Sequence, residues 1–281
     1  MNAGAPHDPP TMASSIGAML ESARQTLVML RYRRTWWWAL PGLAGLFALA
    51  YAAGLRAPER VAGADMFCVF AWWSLSSVVV PWVAVFLGVQ AVHGELEDRT
   101  AQYLFLRPVS RAALLFGKWL AVAMVSSAIS VGAAAVIYAG VGAHAARWPD
   151  GGEPELLYAF GETVIFGAIA YTSVAMLFGA AFRRPLVWSA FFVVGLQLVA
   201  ANLPVSAGLR RLTITDPMRR MVLDRIEPSP RLARMLWPAE REFSYDDIGA
   251  PVQNLVWFTL VGLLVAVVCY ARAEYDSRSR D

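Results

Sequence analysis

The sequence predicts an all-α polytopic membrane protein with six transmembrane helices and an N-terminal cytoplasmic amphipathic helix. Three observations carry that expectation. Of the 281 residues 58% are hydrophobic and 16% charged, where a soluble domain averages about 45–50% apolar and about 25% charged residues. The apolar residues gather into long runs nearly free of charge, each close to the ~20 residues that cross a ~30 Å hydrocarbon core. Runs of this length can satisfy their backbone groups in lipid only as helices.

The runs fall at 35–54, 66–92, 114–141, 157–182, 185–203 and 251–271. Arg31, Arg33 and Arg34 precede the first, as in a signal peptide. More than thirty residues come before it, however, and it exceeds the ~7–15 apolar residues of such a leader, so a retained helix is expected. The domain plan is then a cytoplasmic tail and amphipathic helix over 1–34, a membrane domain over 35–272 with a long external loop at 204–250, and a cytoplasmic tail over 273–281.

With the N-terminus inside, the cytoplasmic segments hold Arg24, Arg31, Arg33, Arg34, Arg99, Arg107, Arg111, Lys118, Arg183, Arg184, Arg272, Arg278 and Arg280, whereas the short external loops hold Arg56, Arg60 and Arg147. That asymmetry places both termini in the cytoplasm. The 204–250 loop opposes it, with arginines at Arg210, Arg211, Arg219, Arg220, Arg225, Arg231, Arg234 and Arg241. Asp216-Pro217 and Ser229-Pro230 predict two short capped helices there. Met218, Met221, Val222 and Ile226 share a face of the first, and Leu232, Met235 and Leu236 a face of the second, with the arginines on the wet sides. Interfacial and fully solvated positions for them both fit this pattern, while nucleic acid does not, because no aromatic residues interleave the charge.

In the N-terminal segment Ile16, Met19, Leu20, Ala23, Leu27 and Leu30 recur at helical spacing, with Glu21, Arg24, Gln25 and Arg31 off the stripe. An amphipathic helix on the membrane surface is expected.

The stretch VHGELEDRTAQYLFLRPVSRAALLFGKWLA, 92–121, is polar and basic between two apolar runs. Glu95, Glu97 and Asp98 open a helical segment that Arg107 closes, matching a helix dipole, and Glu95 and Arg99 stand four apart in the favourable order. Pro108 ends that helix. Ser110 caps the next, with Val109 and Leu114 placed as a hydrophobic staple. A surface helix, a stiff corner and a firmly started membrane helix result.

At these residues the chain resembles the permease subunits of type 2 ABC transporters. Glu95, Glu97, Thr100, Pro108-Val109-Ser110-Arg111 and Gly117-Lys118 carry the likeness, and Arg99 stands where that family usually has glycine. Six spans, a leading amphipathic helix and a long last external loop extend it over most of the chain. The resemblance implies pairing with a second permease copy or a homologous permease in a bacterial cytoplasmic membrane. It also implies an ABC ATP-binding subunit, coupled through 93–112 by Glu95, Glu97, Asp98, Arg99, Thr100, Arg107, Pro108, Ser110 and Arg111. This chain has no GxxxxGK[ST] phosphate loop, so ATP and Mg are expected on the partner and no cofactor on this chain.

Other chemistry is sparse. His7, His93 and His144 share no metal-ligand spacing, and Cys68 and Cys269 fall roughly 20 Å apart in depth, too far for a disulfide. Lys118 reads as a lysine snorkelling from the inner end of its span. Glu162, Gln197 and Asn202 are the polar candidates along a substrate path. A polytopic membrane enzyme, or a scaffold or channel without ATPase coupling, is the alternative reading. The spans carry no Ser/His/Asp set and no paired acids for the former, and the acid-then-PVSR corner is unexplained by the latter.

Overall fold

The computed structural model describes residues 12–32, 35–56, 61–97, 110–144, 153–200, 213–226 and 249–278; for 12–14, 35–38, 95–97, 200, 249–250 and 273–278 the description is of backbone alone. The described residues form eight helices and no strand. They are α1 (Met12–Tyr32), α2 (Thr35–Arg56), α3 (63–97), α4 (Arg111–Gly142), α5 (Pro154–Ala181), α6 (185–200), α7 (Thr215–Arg225) and α8 (Gly249–Arg278).

Five of these, α2 to α5 and α8, are long and apolar enough to cross a membrane, and α6 is a shorter apolar helix. The six apolar runs expected in the membrane domain are thus all helical among the described residues, with α6 described as far as residue 200. Helix extent differs from the sequence reading at one place: α3 continues through Glu97, so the backbone of Glu95 and Glu97 belongs to the helix that continues from the second span rather than opening a new one. The backbone of α8 runs on to Arg278.

α3 also changes winding along its length: Gly63–Ala71 is α-helical, Trp72–Val79 is π-helical, and Val80–Glu97 returns to α. Pro81 lies two residues beyond the wide turn. Proline has no N–H and crowds the preceding turn, and a π stretch is one way for a helix to absorb that fault. The Ser76 hydroxyl donates to the Trp72 carbonyl at 2.6 Å inside it, using one of the loosened acceptors.

α4 and α5 form the centre of the bundle. α4 packs on α1, α2, α3 and α5, and α5 additionally on α7 and α8. At Gly88 of α3 an added Cβ would stand 2.8 Å from the Cβ of Ala175 on α5, the close approach that small residues permit where lipid offers no hydrophobic drive between helices. The main core is aromatic, with Phe67 edge-on to Phe160 at 5.2 Å and to Tyr138 at 5.4 Å. His144 stacks on Tyr51 at 4.7 Å, which ties α4 to α2 and gives that histidine a packing role. Both cysteines are free thiols, as the depth argument requires.

The N-terminal stripe divides in two. α1 buries Ser22, Ala23, Thr26 and Leu30, chiefly against α4, and leaves Ile16, Leu20, Leu27 and Val28 exposed. At 100° per residue the exposed Ile16, Leu20 and Leu27 lie between the buried face and the polar side of Glu21, Arg24 and Arg31. A helix with those three faces suits a membrane interface with protein on one flank. The amphipathic expectation holds, and the contact face combines Ser22, Ala23 and Thr26 with Leu30, which packs among Leu87, Ala91, Val122 and Val125.

Candidate functional site

Two polar constellations stand at opposite ends of the bundle. The end where α1 packs is marked by the start of α4 and the far end of α8. The distal end carries α7.

Depth can be counted along the helices. Gln197 is about 18 Å from the first residue of α6 and Tyr171 about 15 Å from the last residue of α5, so both lie near mid-membrane. There the Gln197 Oε1 accepts from the backbone N–H of Ile214 at 2.9 Å and of Thr215 at 3.2 Å. The Tyr171 hydroxyl donates to the same oxygen at 3.3 Å and that of Thr215 at 3.1 Å. Gln197, Tyr171 and Thr215 are buried. The first N–H groups of a helix have no intrahelical partner, and lipid offers none, so a helix starting at this depth needs an acceptor supplied by a neighbour. Gln197 is that acceptor. Its Nε2 has no hydrogen-bond partner among the described residues, so the carbonyl end alone serves α7.

From that start α7 climbs antiparallel to α5. Met218 seats on Gly167, where its Sδ would be 2.6 Å from an added Cβ, and Arg225 reaches Glu162 at 3.1 Å. Ile214, Met218, Met221, Val222 and Leu223 are all part of the main core. The Asp216 N-cap expected from the Asp-Pro pair is corrected. The Thr213 hydroxyl accepts from the Asp216 N–H at 3.2 Å, and α7 begins at Thr215, before that pair. Thr213 reaches three residues forward because Ile214 already has helical dihedrals. The expectation of wet arginines fails at Arg219, which is 3% exposed with its guanidinium 5.3 Å from the Trp72 ring centre. It holds for Arg220, which is part-exposed and pairs with Asp216 at 3.1 Å. Burial pushes the Asp224 carboxyl above its ordinary value, while Arg220 and Arg225 pull it down. The second helix expected in this loop lies outside the described residues.

Glu162 and Gln197, read from sequence as substrate-path candidates, are therefore both engaged by α7, at different heights; Asn202 lies outside the described residues. Because the Glu162–Arg225 pair is well exposed on both sides, it is expected to contribute little, as exposed pairs do. Glu162→Gln should leave hydrogen exchange of α7 within about threefold of wild type, corresponding to under ~1 kcal/mol.

At the α1 end, Ser110 caps α4 as its position predicts, its hydroxyl accepting from the Ala113 N–H at 3.3 Å. One turn on, the Leu114 carbonyl accepts from the Ser22 hydroxyl of α1 at 2.8 Å. Gly117 lies against the Met19 carbonyl so closely that no Cβ fits. Arg111 donates to the Ala271 carbonyl of α8 at 3.5 Å. Lys118 is buried with its ammonium 5.7 Å from the Tyr270 ring centre, so the expected snorkelling is replaced by a contact with α8. Further along, the Trp119 indole donates to the Ser173 hydroxyl at 2.8 Å. The first two turns of α4 thus hold α1 on one side and α8 and α5 on the other. Glu95 and Glu97 are placed by backbone only, and Asp98, Arg99, Thr100, Arg107, Pro108 and Val109 lie outside the described residues.

The profile of the ABC-2 family transporter protein matches residues 11–228, from the start of α1 to just beyond α7. The chain belongs to that family. No curated protein matches it. The family match makes this ABC-2 protein one of the permease type, and its long apolar helices fit a multi-pass membrane protein. The matched range includes both the α4 corner and the α7 latch, and leaves out α8.

Sequence reasoning missed Tyr171, Thr215, Arg219 and Trp72. A signal was present in Thr213-Ile214-Thr215-Asp216, a hydroxyl three residues before an acid, which is the spacing of a capping box.

Proposed function

We propose that this protein is the membrane-spanning permease subunit of an ABC transporter and moves its substrate with ATP hydrolysed on a separate ATP-binding subunit, with Mg also held there. It would work with a second permease copy or a homologous permease in a bacterial cytoplasmic membrane, both termini inside. The observation that carries the reading is the α4 corner. A push delivered at 93–112 meets a helix whose first turns are bonded to α1 through Ser22 and Gly117 and to α8 through Arg111 and Lys118. Displacement of the capped end of α4 must therefore carry these helices with it. At the other end α7 occupies the distal half of the bundle and serves as the gate on the exit side. The faces of α2 and α8, the least buried of the long helices, are the surfaces available to the other permease half.

Glu95 and Glu97 bring two acids to the 93–112 segment, and a cationic surface on the ATPase would complement their charge. Glu95→Lys with Glu97→Lys should insert normally, since the spans are unchanged, but lose co-purification with the ATPase, as like charges facing one another cost several kcal/mol at an interface. A double variant that keeps both ATPase binding and substrate-dependent hydrolysis refutes the coupling assignment. Orientation is tested separately. A cysteine at Arg99 should resist an impermeant thiol reagent added outside intact cells, and labelling there would reverse the topology.

A further inference from the structure

Near the α1 end, a cavity of about 330 Å³ lies between the last turns of α3 and the turn joining α5 to α6. Gln90, His93, Arg183 and Arg184 supply its polar wall. Both arginines are exposed, and among the described residues neither has a carboxylate partner. A second cavity, a groove of about 530 Å³ between α2 and α3, is walled by apolar residues, including Gly42 and Leu46 of α2 and Val78, Trp82 and Phe86 of α3; its one polar wall residue is again Gln90.

The two cavities follow one face of α3. Trp82, Phe86, Gln90 and His93 recur at spacings of four, four and three, so they line up along the helix. From Val78 to Gln90 the rise is about 18 Å, slightly more than half of the ~30 Å hydrocarbon core. A trough of one leaflet's depth, apolar along its length and cationic at the membrane surface, has the dimensions and polarity of a single phospholipid.

We propose that this trough binds an anionic phospholipid of the leaflet on the α1 side, with its phosphate held by Arg183 and Arg184 and an acyl chain in the α2–α3 groove. Charge complementarity selects the headgroup. Arginine forks suit phosphate oxygens, and each cation near an anionic membrane surface contributes enough that removing two weakens binding by about tenfold or more. The groove selects a lipid over a free anion, because a soluble phosphate leaves its apolar wall uncovered. The bound lipid bridges α2, α3 and α6, so its presence stiffens the bundle beside the α4 corner. The site is independent of whether hydrolysis is coupled through 93–112.

The test uses the full chain in phosphatidylcholine nanodiscs with phosphatidylglycerol titrated in at constant total lipid, read by native mass spectrometry after gentle ejection. Wild type should retain one phosphatidylglycerol preferentially. Arg183→Ala with Arg184→Ala should lower its occupancy about tenfold, and Arg183→Lys with Arg184→Lys, which keeps the charge and loses the fork, should fall between wild type and the alanine pair. Gly42→Phe, which fills the groove and leaves the arginines in place, should also lower it, and this variant decides the matter if the alanine pair fails to insert. Equal retention of phosphatidylcholine, displacement by soluble glycerol phosphate, or unchanged occupancy in Gly42→Phe each overturns the proposal.

Discussion

Replacing Gln197 with leucine should release α7 from the distal half of the bundle. The substitution keeps the volume and removes the oxygen that accepts from Ile214, Thr215 and Tyr171. The tyrosine can fall back on the Thr215 hydroxyl at 3.2 Å, but the two backbone N–H groups have no side-chain alternative among the described residues. Each buried donor left unmade costs about 1–3 kcal/mol, and a loss of ~3 kcal/mol in total corresponds to roughly a hundredfold more frequent opening. Hydrogen exchange across Thr215–Arg225 should rise by that order, while α4 and α5 keep their protection. Tyr171→Phe is the companion variant. It deletes one of several donors to the same oxygen and should raise exchange by no more than about tenfold. If the leucine variant protects α7 as wild type does, Gln197 is not the latch. A transporter built on this gate should then show substrate leak, or altered basal hydrolysis, in the Gln197 variant and not in Glu162→Gln.

Gly117→Ala should detach α1 from α4. One methyl group meets the Met19 carbonyl, a backbone atom that cannot rotate away, and the Ser22 Cβ at 3.0 Å. Overpacking of this kind typically costs about 1–3 kcal/mol, and retreat of α1 also strains the Ser22–Leu114 bond. Gly132 of the same helix provides the control, since nothing lies within 4 Å of the Cβ it would gain. There alanine should stabilise by up to about 1 kcal/mol through helix propensity. Trypsin cleavage at the exposed Arg24 and Arg31 should accelerate in Gly117→Ala and stay unchanged in Gly132→Ala. Equal cleavage in the two variants refutes the docking argument. On the coupling proposed for 93–112, freeing α1 should leave ATPase binding intact and lower the hydrolysis linked to transport.

The limits of sequence reading show at particular residues. Ser110 could be assigned as a cap because capping is local: the bond runs from residue i to i+3 and needs no knowledge of the rest of the fold. The same local logic misassigned the cap of α7, since Asp-Pro and Thr-x-x-Asp overlap there and only the packing of Ile214 in the core selects the earlier start. Lys118 was read as snorkelling because nothing local announces Tyr270, which is far along the chain and close in space. Arg219 was placed in water for the same reason; Trp72, which it faces, belongs to another helix.

The amino-acid order by itself determined that the chain crosses a membrane as helices, because the cost of bare backbone in lipid leaves apolar runs of this length no other form. It also determined where most of those helices lie, and the cap that starts α4, since each rests on contiguous residues. Only the tertiary structure decided that α7 begins at mid-depth, that Gln197 rather than Glu162 is the polar residue it depends on, and that α1 docks through Ser22 and Gly117 beside Leu30 while Leu20 and Leu27 stay exposed. Those outcomes are set by which donor meets which acceptor and where a missing Cβ lets two backbones touch, and such distances between sequence-remote atoms leave no periodic mark on the chain.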